Sequence, residues 1–343
     1  MRRLRSAGIL SGALLLATLS AYVLTHAQAS STRFSEPYRQ AQLPPGTNSY
    51  PFRYWDKQFL ITYSIDDASP TRPAAILYDR SGRIAREVYV SFKDAYSASI
   101  GDVAVSGSGQ IVVAGGTESP AGAVANFIAS IGDDGHVRQI IRTTPFLPVY
   151  VCAAEDGTVW SYGFDRDENG EGVEGSLMLR QFAFGKGQLR AMLDKFRKKT
   201  PWWLTNGHYP GEIDLRCTSG KVVLFQGAAS EYVEFDLASD KLKDSTMEPL
   251  PPATEMRITG FALTESGNVF ISLHDRSSKP PRSGLFKLSF ADSGRGKWVP
   301  IEETVGPYLN GAKVGQLLGA DGVDLVYSRR FGDSTAYWSK YSK

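Results

Sequence analysis

Asp165, Asp167, Asn169 and Glu171 fall at alternate positions of a D-x-D-x-N-G run. Oxygens at that spacing can wrap one hard cation, the glycine permits the sharp turn, and residue 171 offers its backbone carbonyl. Calcium is the candidate ion. The match then breaks, because Val173 and Ser176 stand where a ninth ligand and a bidentate twelfth ligand belong. Glu171 or Glu174 would have to substitute, and a solvated acidic loop is the plainer alternative. A second cluster runs from a basic stretch at 195–199 into Trp202, Trp203 and His208. Cations beside aromatic rings suit an anionic sugar, a lipid headgroup or a protein partner, and equally a solvated face held down by tryptophans.

Catalytic signals are weaker. Beyond residue 29 the histidines are His136, His208 and His274. His136 sits in a tight turn, so His208 and His274 join the two tryptophans as candidate ligand contacts. Neither G-x-S-x-G nor H-E-x-x-H occurs. Asp66, Asp67, Glu255 and Asp275 are acids that could serve a metal-dependent site, but no catalytic residue is assigned. Cys152 and Cys217 are the two cysteines, and in an exported chain an even pair reads as a disulfide.

These residues must be positioned by short strands. Glycine-containing turns recur in two interleaved series. Gly109, Gly157, Gly220, Gly267 and Gly322 form one, with Lys57 at the same place in an earlier unit that lacks glycine. Gly82, Gly135, Gly187, Asp240 and 294–296 form the other, at steps of 53, 52 and 53 residues through Asp240. A period near 50 with two tight turns per unit gives four strands, A to D, in each unit. The single long step, 63 residues from Gly157 to Gly220, marks an insertion. Only 188–199 carries a helical period. The spacing predicts an all-β fold, a six-bladed β-propeller of four-stranded antiparallel blades. The sixth unit, from near Val314, lacks strand D because the chain stops at Lys343. Residues 38–43 can supply it and close the ring. A pair of β-sandwiches is the alternative, and the 50-residue period argues against it. Cys152 and Cys217 precede corresponding turns, which places them on neighbouring A strands within bridging distance.

Units ending YDRSGRI, IGDDGHV and EFDLASDKL, with AEDGTVW and TESGNVF, resemble exported bacterial six-bladed β-propellers distantly similar to the NHL-repeat and gluconolactonase-like groups. The resemblance rests on turn pattern over residues 38–343 and brings no catalytic motif with it.

Arg2, Arg3 and Arg5, an apolar run over 7–24, and Ala27-Gln28-Ala29 have the layout of a secretory signal peptide. An uncleaved N-terminal membrane anchor is the alternative. The expected organisation is a signal over 1–29 and one propeller over 30–343, periplasmic or secreted and monomeric. No second long apolar run follows. Three of the 38 basic residues and none of the 36 acidic ones lie in the signal, leaving 35 against 36, a net charge of −1. That balance gives no reason for a nucleic-acid partner. The A–B and C–D turns lie on one face, and the longer B–C and D–A loops lie on the other, which is the expected functional face. The expected role is binding of an unknown protein, peptide or glycan. A metal-dependent, lactonase-like hydrolase or lyase at the channel mouth is the alternative.

Overall fold

The computed structural model describes residues 34–44, 52–64, 69–173, 175–176, 178–193, 213–227, 230–248, 256–275, 282–290, 295–305, 313–330 and 333–341. Their regular structure is all strand, β1 (Arg39–Gln42) through β24 (Thr335–Lys340). Four antiparallel sheets hold four strands each, in the orders β6-β7-β8-β9, β10-β11-β12-β13, β14-β15-β16-β17 and β18-β19-β20-β21. The remaining sheet runs β1-β24-β23-β22-β2-β3-β4-β5. Its one parallel junction is a single bridge, Trp55 on β2 (Phe52–Asp56) to Gly319 on β22 (Gln316–Asp321). Divided there, the strands make six antiparallel groups of four.

The fold is a β-propeller. The first strand of each group faces the first strands of its neighbours. β6 (Ser97–Val105) packs on β10 (Phe146–Ala153), β10 on β14 (Ile213–Cys217), and β18 (Met256–Leu263) on β22. Ring packing of Phe225 on Phe261 joins the fourth group to the fifth. The apolar residues therefore form seams between sheets, because each strand set is buried on both faces and only its outermost strand shows an exposed one. Exposed Ile84, Ile140, Leu189, Leu242 and Val299 all lie on such outer strands.

Strand β1 closes the ring as expected for residues 38–43. It pairs antiparallel with β24, Arg39 opposite Trp338 and Gln42 opposite Thr335. Ala41 and Leu43 enter a buried seam with Trp55, Tyr78 and Trp338, where the two indoles meet edge to face at 5.2 Å. Gly82 fits against this closing strand, since a Cβ there would stand 2.4 Å from the Gln42 carbonyl oxygen and the residue has φ of 80°.

Cys152 on β10 and Cys217 on β14 form a disulfide, with Cα atoms 5.4 Å apart. It pins adjacent inner strands across a sequence separation of 65, a closure worth roughly 4 kcal/mol in the chain-entropy account. One expectation is overturned: residues 188–193 are not helical but belong to strand β13 (Gly187–Leu193), paired with β12 (Met178–Ala183). The local helical period yields to an unpaired sheet edge that needs a partner.

Removing residues 30–43 should expose that seam. It deletes the β1 ladder, buried Phe34, and the Tyr38 hydroxyl bond to Asp324 at 2.6 Å. At about 1.5–3 kcal/mol for each large buried apolar side chain, the loss should exceed roughly 4 kcal/mol. Thermal unfolding should fall by about 6 °C or more, or the protein should aggregate. An unchanged melting temperature would count against closure by β1.

Candidate functional site

Charged residues on buried inner strands need partners, because burying an unpaired charge is costly. The inner strands here bring several together. Arg216, on β14, reaches across the axis and lies over the Tyr54 ring of β2, 4.4 Å from its centroid. Its Nη2 also pairs with Asp214 Oδ1 at 2.8 Å, and its Nη1 donates to the Leu215 carbonyl at 3.0 Å. Burial disfavours the guanidinium charge, but Asp214, Tyr54, Asp102 and Asp56 together hold its pKa above the ordinary arginine value.

Asp102, on β6, is the second centre. Its Oδ1 accepts from the hydroxyls of Tyr54 and Tyr63, each at 3.3 Å, and from its neighbour Val103 N–H at 2.9 Å. Its Oδ2 accepts from Val151 N–H of β10 at 3.0 Å. One carboxylate thus ties three groups of strands together. Burial pushes its pKa up to about 7, against the pull of Arg216 and of the two backbone donors. Asp56, at the end of β2, accepts from Val105 N–H at 2.8 Å. Burial raises its carboxyl too, against Arg216, the Val105 bond and Lys57.

Lys57 closes the set. It adopts φ of 54° in a turn where Gly109, Gly157, Gly267 and Gly322 serve the other units. For an L-residue that conformation costs roughly 1 kcal/mol or more, and it persists where the surroundings hold it. Here the ammonium spans the axis to the Cys217 carbonyl at 2.9 Å and to Glu265 at 3.0 Å. Burial alone would raise the Glu265 carboxyl, but the Lys57 bond and charge outweigh it, with help from Ser219, and lower it.

Above this set lies a cavity of about 250 Å³. Asp56, Lys57, Arg216 and the Cys217 segment line one side, and Glu265, Asp321 and Gly322 line the other. Gly319 belongs to its wall, where a Cβ would stand 2.4 Å from the Trp55 carbonyl oxygen. The lining residues end A strands or occupy A–B turns, except Arg80 in a C–D turn of the same face, so the cavity opens on the short-turn face rather than the long-loop face that the sequence favours.

The other candidate residues are placed as follows. Both oxygens of Asp165 bond Arg180 Nη2, at 2.8 and 2.9 Å. Asp167 Oδ1 accepts the N–H groups of Asn169 and Glu171, each at 2.9 Å, and the Glu171 carbonyl accepts from Asp167 N–H. Asn169 and Glu171 therefore enter through their backbone. The run folds as a self-bonded turn, and among the described residues no three acids, histidines or cysteines gather closely enough to hold a metal ion. His274 lies on β19 (Val269–Asp275), opposite Arg257 and Ser283. His136 stacks on Tyr89 at 5.3 Å in its turn. Trp202, Trp203, His208, Asp66, Asp67, Glu174 and Glu255 lie outside the described residues. Arg216 and Asp102 escape sequence reasoning, although a charge inside an apolar inner strand, as in IDLRC and IGDVAV, is the signal that marks them.

No protein-family model matches the chain, and no curated protein does either. Solved structures do. A Bacteroides fragilis protein named as exported is 11% identical, with 90% of this chain and 95% of that one covered and a TM-score of 0.50. The WD40 repeats of RRP9 are 10% identical, with 90% and 100% covered and a TM-score of 0.50. A gluconolactonase from Xanthomonas campestris is 12% identical, with 90% and 96% covered and a TM-score of 0.45. At such identities the likeness is one of fold.

The raised Asp102 carboxyl makes stability depend on pH. The folded protein keeps this proton at pH values where the unfolded chain, with an ordinary carboxyl near 3.9, has lost it. The favourable contribution is complete below about pH 4 and is lost as pH rises through about 7. Its full size is of order 4 kcal/mol. Asp102→Asn should therefore unfold at the same urea concentration at pH 5 and pH 8, apart from changes shared with the wild type. Equal pH slopes in variant and wild type would refute the assignment.

Proposed function

We propose that this chain is an exported six-bladed binding propeller, and that its ligand occupies the cavity on the A–B turn face. The cavity supports this reading, because a scaffold need alone does not account for a polar recess beside strained Lys57. Hydrogen-bonding groups converging on a concave recess are what a small-molecule site requires. The axis below is filled by Arg216 and its partners, so a ligand entering here meets a floor rather than a through-channel. Export fits the signal-like segment over 1–29 and the Cys152–Cys217 disulfide, which persists in oxidising compartments. Residues 30–343 then form one periplasmic or secreted domain.

A thermal-shift screen against small polar metabolites and oligosaccharides tests the site, with Ala320→Trp, at a partly exposed position of the cavity lining, as the filled-cavity control. At least one compound should raise the melting temperature of the wild type and leave Ala320→Trp unmoved. A compound at about 100 times its dissociation constant adds about 2.7 kcal/mol, which is about 4 °C in a domain of this size. Equal shifts in both proteins, or none in a broad panel, would reject the cavity as the binding site.

A further inference from the structure

The charge around the cavity selects the kind of ligand. Four carboxylates sit at this end of the axis, Asp56, Asp102, Asp214 and Glu265. Two cations answer them, Arg216 and Lys57. Arg80 and Asp321 at the rim form a pair of their own and cancel. With every group ionised the set carries four negative and two positive charges, a net of −2. In a low-dielectric interior such an imbalance is costly unless protons or a further cation relieve it.

Building on the cavity reading, we propose that this site takes a small organic ammonium compound, with its charged nitrogen beside Asp56 and the Cys217 carbonyl. Three observations carry this. Asp56 lines the cavity, its Oδ2 is bonded to Val105 N–H, and no described donor reaches its Oδ1. The Cys217 carbonyl accepts the Lys57 ammonium through one lone pair, and its second lone pair can take another N–H donor. Each lining cation is paired with an acid, Lys57 with Glu265, Arg216 with Asp214 and Arg80 with Asp321, so an anionic ligand has to compete with a carboxylate for every one of them. Burial pushes the Asp102 carboxyl up to about 7 and raises that of Asp56, in spite of the pull of Arg216 on both. A bare metal ion fits less well. The space is about 250 Å³, and no metal-holding group of side chains gathers among the described residues.

Isothermal titration of the full protein near neutral pH with glucosamine, glucose and glucuronate separates charge from shape. Glucosamine should bind at least about tenfold more tightly than glucose, and glucuronate should not bind. Asp56→Asn should weaken glucosamine about tenfold or more, and Ala320→Trp should abolish it. If Asp56→Asn does not fold, Glu265→Gln on the half-exposed rim carries the same test, because it removes one of the four negative charges. Tighter binding of glucose or glucuronate, blocked by Ala320→Trp, would overturn the ammonium assignment and leave the cavity as the binding site. Silence of all three sugars would overturn the assignment as well, and the broader screen would then judge the cavity by itself.

Discussion

A propeller has to do something with its axis, and this one fills it with a single guanidinium. Arg216 starts on β14 and ends over Tyr54 of β2, a strand on the far side of the ring. Its five donors cannot be deprotonated away, so its burial demands carboxylates, and Asp214, Asp102 and Asp56 supply them. Each carboxylate in turn fixes backbone. Asp102 holds Val103 and Val151 N–H, and Asp56 holds Val105 N–H. Inner strands of the first four groups are thereby tied to one charge. The disulfide between β10 and β14 adds a covalent tie to the same place.

This arrangement is not where most of the stability comes from. Buried ion pairs seldom add more than well-packed apolar residues would, because desolvation offsets the attraction. The outer seams, with Trp55, Trp160 and Trp338 fully enclosed, supply the apolar burial instead. What the axial charges add is a polar floor beneath a cavity. Lys57 fits the same logic. Its left-handed backbone is a local cost, and its reward is a bond across the axis to a carbonyl 160 residues away. Both cross-axis struts lie at the A–B end, which is why the recess there is polar.

The sequence carried the elements well and the site poorly, for one physical reason. Turn residues act locally, so the two interleaved series give strands, hairpins and the closing role of residues 38–43 directly. The cysteines were legible because their offsets from equivalent turns put both on inner strands. Gly220 shows the limit of even that local signal, since it stands in a short turn without a positive φ. Residues 188–193 show another, where a helical pattern lost to sheet pairing. The contacts of Arg216 with Tyr54, and of Lys57 with Cys217, join residues about 160 apart. No spacing along one strand tells what stands opposite across a closed ring. The acidic run at 165–171 has spacing that suits a cation, and in the fold its Asp165 oxygens bond Arg180 while Asp167 Oδ1 accepts local N–H groups, contacts that spacing does not reveal.

The central claim is that Arg216 and Asp102 are coupled across the axis, and a double-mutant cycle in urea measures that coupling. Arg216→Met alone should cost about 3–5 kcal/mol, since it strands buried carboxylates without their cation. Adding Asp102→Asn should recover part of that loss, a coupling of about 1 kcal/mol or more at pH 8, where Asp102 is ionised. Additive losses within about 0.5 kcal/mol would contradict the account, because the two residues would then serve their own strands alone.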